Sequence, residues 1–179
     1  NVSPTNVLIN PSKTQLVMIS DNSNQIYSFT LNTSGTLTTP TISSPVINST
    51  PQTNPTTPED QSVTYYSSLF PFGGTFISKA TGESLLVTSL NHNSLDYFTF
   101  NGNSGVLGST NEVFAGYEAA CWITTNPSQT FAYMAHGIPD GGVVTSYQIA
   151  SNGQITQASD GRPAASISGA AGEMWVDPT

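Results

Sequence analysis

Charge is what this sequence has least of. Of 179 residues, 3 are Lys or Arg and 11 are Asp or Glu, so charged residues make up 8% of the chain and the net charge is −8. A typical soluble domain carries about 25%. Nucleic-acid binding needs cationic side chains that displace counterions from phosphates, so that class is excluded, and anionic membrane surfaces are excluded with it. Long apolar runs are missing as well. None approaches the roughly 20 residues of a spanning helix, and the mean hydropathy is −0.13, so membrane insertion is not expected. The single Cys121 has no partner for an internal disulfide. The two histidines, His92 and His136, stand 44 positions apart, which offers no clustered ligand set for a structural metal. "DNSN" (21–24) lacks the later Gly and bidentate Glu of a calcium loop, and "GAAGE" (169–173) lacks the Lys of a phosphate cradle. No metal and no cofactor is therefore expected.

Asn, Ser, Thr and Gln supply the polarity that charge does not. Surface helices are usually built from Glu, Lys and Arg, so this composition favours strands and turns. Three glycosylation sequons begin at Asn1, Asn32 and Asn48. With the scarcity of lysine, they point to a secreted glycoprotein of fungal type. The sequence opens inside a strand pattern, as a mature or trimmed chain would.

The same pattern is written three times. Aligned on Pro11, Ala80, Pro127 and Pro178, the copies are spaced 69, 47 and 51 residues apart. Four residues beyond each of the first three positions begin "QLVMIS" (15–20), "SLLVTS" (84–89) and "FAYMAH" (131–136). Next come "IYSFTL" (26–31), "LDYFTF" (95–100) and "VTSYQI" (144–149), which put Phe29, Phe98 and Tyr147 in one column. A Gly turn and an apolar residue follow each time: Gly35/Leu37, Gly105/Leu107 and Gly153/Ile155. Short apolar segments lie just ahead of each register position, at 6–9, 73–77, 121–124 and 174–176. Each unit thus holds four strand-length segments, and four-stranded units at this period are the signature of β-propeller blades. A β-sandwich is the rival architecture, but sandwiches seldom repeat aromatic and Gly columns at fixed offsets. The expected fold is all-β. About three blades are expected, with units near 6–72, 73–120 and 121–172 and the start of a fourth at 173–179. Residues 38–68 form a Pro/Thr-rich insertion after the first blade. Propellers close with about 4 to 8 blades, so the missing blades are expected from the same chain, of which this would be a fragment, or from another.

The stretch "YEAACWITTNPSQTFAYMAHGIPDGGVVTSYQIASNGQIT" (117–156) resembles the lactonase-type seven-bladed propellers, the group of 6-phosphogluconolactonase and carboxymuconate-cyclase-like proteins. "LFPFGGTFISKATGESLLVTS" (69–89) and "VLINPSKTQLVMISDNSNQIYSFTLNTSGTL" (7–37) resemble preceding repeats of that group. The chain departs from the repeat where Ser12-Lys13 and Ser128-Gln129 replace Asp-Gly of the first turn. The resemblance implies a seven-bladed ring and lactone chemistry, but it rests on blade-building residues and carries no catalytic residue across.

Strand parity sorts the chemically capable side chains. In an antiparallel blade, the loop entering the innermost strand and the loop joining the second and third strands open on one face. Tyr117, Glu118, His136, His92 and Glu173 all fall there, while "NPSK" and "NTSG" fall on the other. Lactone hydrolysis needs a group that activates water and a donor for the carbonyl oxygen. Glu118 with His136 nearby is the candidate catalytic pair. His92, Tyr117, Arg162 and Glu173 are candidate substrate contacts. Cys121, Trp122, Trp175, Phe29, Phe98 and Tyr147 read as packing residues. The expected activity is metal-independent hydrolysis or formation of a lactone at the channel mouth. The alternative is a secreted, non-catalytic propeller that binds a protein or a carbohydrate.

Overall fold

The computed structural model describes residues 3–43, 70–101, 106–114, 117, 119–138, 141–158, 164–169 and 174–177. Among them there are thirteen strands and no helix, arranged as three antiparallel sheets. The first sheet runs β1 (Pro4–Ile9), β2 (Gln15–Ser20), β3 (Gln25–Thr30) and β4 (Thr41–Ser43) in spatial order. The second runs β5 (Pro71–Lys79), β6 (Gly82–Ser89), β7 (Ser94–Asn101) and β8 (Val106–Phe114). The third runs β9 (Ala120–Thr125), β10 (Phe131–Ile138) and β11 (Gly141–Ile149). Its outermost position is shared by two short strands, β12 (Ile155–Gln157) and β13 (Ala165–Ile167), both paired to β11. These are three blades of a β-propeller.

The repeated "NPS-x-T" turns have a specific cause. Asn10 Oδ1 accepts from the amides of Thr14 and Gln15 at 2.9 and 2.7 Å, while its Nδ2 donates to the Ser12 and Thr14 hydroxyls. Asn126 does the same with Thr130, Phe131 and Ser128. One side chain thereby satisfies a whole turn and fixes the register of the following hairpin. The position where Gly is absent is left-handed in both copies, with φ 59° at Lys13 and 53° at Gln129. Gln129 has a compensating role, because its Oε1 accepts from Ser78 N of the neighbouring blade at 2.7 Å.

Register places the aromatic column. Phe29 lies opposite Leu16, Phe98 opposite Leu85 and Tyr147 opposite Ala132. In each sheet this face looks toward the preceding blade. Phe98, Leu85, Val87 and Phe76 pack on Val17, Ile19 and Ile26 of the first sheet. Tyr147, Ala132, Met134 and Ile123 pack on Ile77, Leu86 and Leu95 of the second. Each fully buried aliphatic side chain contributes about 1.5–3 kcal/mol, so the two inter-blade cores hold the sheets together. The corresponding face of the first sheet carries Val7 and Ile9, 56% and 54% exposed, with Leu16, Met18, Tyr27 and Phe29 half-buried beside them.

Close approach of inner strands requires glycine at one point. A Cβ on Gly73 would run into Cys121 O and lie 3.0 Å from Trp122 Cα. There Thr88 Oγ1 accepts from Gly73 N at 2.8 Å and donates to Cys121 O at 2.6 Å. Trp122 packs edge-on against Phe72, with centroids 5.8 Å apart. Trp175 lies at the expected start of a further blade. Residues 174–177 join no strand, and with no sheet beside it among the described residues Trp175 is 77% exposed.

Candidate functional site

The alternation of strand directions brings the β6–β7 turn, the chain entering β9 and the end of β10 to one end of the sheets. Hydrogen bonds then tie them. Asn93, in a left-handed conformation (φ 53°), accepts the amide of Ala119 on its Oδ1 at 2.7 Å, and Ala119 O accepts from Gly137 N at 3.0 Å. The same device appears one blade earlier, where Asn24 Oδ1 accepts from Phe70 N at 2.9 Å. Asn tolerates the left-handed region better than most residues, and its side chain caps the amide that opens the next inner strand.

Two polar groups are buried at this end. In the first, the ring of Tyr117 lies over the imidazole of His136, with centroids 5.8 Å apart. His136 is fully buried, and its Nε2 lies 3.0 Å from Thr145 Oγ1, which in turn donates to Tyr147 OH at 3.2 Å. Burial raises the Tyr147 hydroxyl well above its ordinary value, against a smaller opposing effect of Thr145, so it stays protonated.

The second group lies between the first and second sheets. His92 Nδ1 pairs with Glu112 Oε1 at 3.1 Å, and both side chains are almost wholly buried. Glu112 stands directly across the β7–β8 ladder from Asp96, itself 1% exposed. Burial, and then the neighbouring Glu112, raise the Asp96 carboxyl well above the usual range, with the nearby Ser94 hydroxyl opposing. Among the described residues, Asp96 Oδ1 and Ser94 Oγ are both buried without a well-aligned hydrogen-bond partner.

The sequence pattern of the family described as lactonase, 7-bladed β-propeller, matches residues 84–176, just over half of the chain. The chain belongs to this lactonase propeller family. No curated protein matches it in sequence. Among solved structures it is similar to a Lactobacillus plantarum protein, with a TM-score of 0.67 and 14% identity over 93% of this chain and 43% of that one. It is also similar to the periplasmic gluconolactonase of Pseudomonas aeruginosa, with a TM-score of 0.65 and 14% identity over 94% and 40%. A protein from Desulfotomaculum acetoxidans follows, with a TM-score of 0.57 and 16% identity over 93% and 43%. At such identity these likenesses show the fold. The chain spans about two fifths of the length of each.

In this lactonase-family propeller the candidates chosen by strand parity divide in two. His92, Tyr117 and His136 are at one end of the sheets, as parity required, and all three are buried there rather than open to solvent. Glu118, Arg162 and Glu173 lie outside the described residues, as do Asn1, Asn48 and most of the Pro/Thr-rich insertion. Asn32 is exposed in the β3–β4 connection, its Nδ2 donating to Thr36 Oγ1 at 3.1 Å. Burial raises the Cys121 thiol above its ordinary value, the Gly137 backbone opposing, which keeps it protonated and suits a packing role. No cluster of three or more His, Cys, Asp or Glu that could hold a metal occurs among the described residues. Asp96, Glu112 and Thr145 escaped the sequence reading. The signal for Asp96 was a carboxylate set inside an apolar strand, two residues before the aromatic column.

Proposed function

We propose that this propeller hydrolyses a lactone at the end of the sheets where the β6–β7 turn, the chain entering β9 and the end of β10 converge. The observation that supports this reading, beyond family membership, is how the residues flanking position 118 are held. Tyr117 is seated on His136, and Ala119 is bonded through both its amide and its carbonyl. Glu118 is the general base in this reading: its carboxylate takes the proton of the attacking water. A positioned base of this kind is worth about 10²–10⁴-fold in rate. His136 serves as a positioning residue, since its Nε2 is engaged by Thr145 and its ring supports Tyr117.

Charge bears on the substrate. Lys13 lies in the β1–β2 turn and Lys79 at the end of β5, both at the opposite end of the sheets. Lys79 is committed there to the carbonyl of Gln129. Arg162, outside the described residues, is the third basic side chain. That the described residues bring no basic side chain to the proposed end supports a neutral lactone over a phosphorylated one in this reading. The same placement favours a second reading, a secreted scaffold whose face binds a partner without turnover. The test is a pH-stat assay of the full-length polypeptide against neutral and phosphorylated sugar lactones and simple aliphatic lactones. Turnover that falls at least about 100-fold in Glu118→Gln supports the enzyme. Hydrolysis no faster than the uncatalysed rate for every lactone overturns it in favour of the scaffold.

A further inference from the structure

The second and third sheets are pressed together along their inner strands and part toward the rim. At the rim the second sheet ends on β8, 9 residues long, and the third on β12 and β13, 3 residues each. The result is a cleft of about 330 Å³ lined by Leu95, Tyr97, Thr99, Val113, Asn152, Gln154 and Ile155. Its volume is at the lower end of the range for small-molecule sites, roughly 300–1,000 Å³.

The lining has a defined chemistry. Leu95 and Ile155 are buried and supply an apolar floor, with Val113 beside them. Tyr97 forms one wall and is held in place: its hydroxyl accepts from Ser84 Oγ at 2.8 Å. Gly153 presses against it from the β11–β12 turn (φ 87°), where a Cβ would come within 2.7 Å of that hydroxyl. The turn is further fixed by Asn152 Oδ1, which accepts from Gln154 N at 3.0 Å, and by Thr81 Oγ1, which donates to Asn152 O at 3.3 Å. These bonds leave the Asn152 Nδ2, the Gln154 amide and the Thr99 hydroxyl for a ligand. Among the described residues, none that lines the cleft carries charge.

An apolar floor and an aromatic wall beneath a rim of neutral amides and a hydroxyl suit a molecule with one apolar face and a ring of hydroxyls. We infer that this inter-blade cleft binds a single neutral sugar residue, with the C–H face of the ring on Tyr97 and Leu95 and vicinal hydroxyls bonded to Asn152, Gln154 and Thr99. An anionic sugar would find no counter-charge among the described lining residues, and a wholly apolar ligand would leave the rim groups unused. This site is separate from the end of the sheets that carries Tyr117 and His136, and it does not rest on the proposed hydrolysis.

The test is calorimetric titration of the full-length protein with the methyl glycosides of glucose, galactose, mannose and N-acetylglucosamine, and with glucose 6-phosphate and gluconate. At least one neutral glycoside is expected to saturate with a dissociation constant on the order of millimolar, as suits so small a ligand. Asn152→Ala, Gln154→Ala and Thr99→Val are each expected to weaken it by about 3–10-fold, the effect of one lost hydrogen bond. All three positions are at least partly exposed, so lactone turnover should not change, and the unfolding midpoint should not move in Gln154→Ala or Thr99→Val; Asn152→Ala also gives up the turn bond to Gln154 N and should lower the midpoint slightly. Failure of every neutral glycoside to saturate overturns the inference. So does tighter binding of the anionic sugars, or binding that all three variants leave intact.

Discussion

Asp96→Asn isolates the buried carboxyl that the fold leaves without a full set of partners. Asp96 is on the face of β7 turned toward the first sheet, with Val87 across the ladder on one side and Glu112 on the other. The ionisable groups facing it are Glu112, from β8, and His92, from the β6–β7 turn, which pairs with Glu112. Its folded pKa is raised, by burial first and by Glu112 second, above an ordinary value of 3.8. The folded protein therefore keeps a proton that the unfolded chain has already released. Stability is then highest at low pH and falls as pH rises from the ordinary value to the raised one, by about 1.4 kcal/mol per pH unit within that window. Asparagine is nearly isosteric and cannot ionise, so the variant lacks this slope. Urea unfolding of both proteins at half-unit steps from pH 4 to 8 gives the comparison. The difference in stability, variant minus parent, should climb in favour of the variant at that rate and then level off. Parallel curves across the whole range would mean that Asp96 titrates alike in both states, and the reading of the cluster would fail.

Four further outcomes can be checked. Gly73→Ala should lower stability by about 1–3 kcal/mol in chemical denaturation, because its new methyl group meets backbone atoms of β9 that cannot move aside without disturbing the Thr88 bridge. Lys13→Gly should raise stability by roughly 0.5–1 kcal/mol, since the left-handed cost is removed and only the chain entropy of glycine opposes it. Gln129→Gly should give no comparable gain, because it also loses the bond to Ser78, and equal gains at both positions would contradict that account. Thr145→Val should cost about 1–3 kcal/mol by leaving the buried Nε2 of His136 without its hydroxyl partner, with Thr145→Ser restoring most of it.

The blades were legible because the turn chemistry, the aromatic column and the strand alternation all repeat in step. Asn10 and Asn126 look unremarkable singly, but at matching offsets they mark hairpins whose bonds are the same atom for atom. Strand parity went further and named the end of the sheets that holds His92, Tyr117 and His136. Burial was beyond its reach. Parity says which end a residue occupies, whereas the depth of His136 depends on a ring contributed by Tyr117 from the preceding connection. Trp175 marks another limit: an apolar residue at the expected offset is buried only where another sheet covers it. The Asp96–Glu112 neighbourhood depends on cross-strand register, which residue spacing within one strand does not encode.

The flank of the first sheet, with Val7, Ile9, Met18 and Phe29 facing outward, has a thermodynamic consequence. Phe98 and Tyr147, at the equivalent place in the other two sheets, are sealed beneath a neighbour; Phe29 has the same orientation and no such cover among the described residues. Whatever lies against that flank in the working molecule sets the melting of β1 and β2, since a repeat draws its cohesion from both sides. Left bare, the flank would make those two strands the first to exchange their amide protons with solvent and would make self-association rise with concentration.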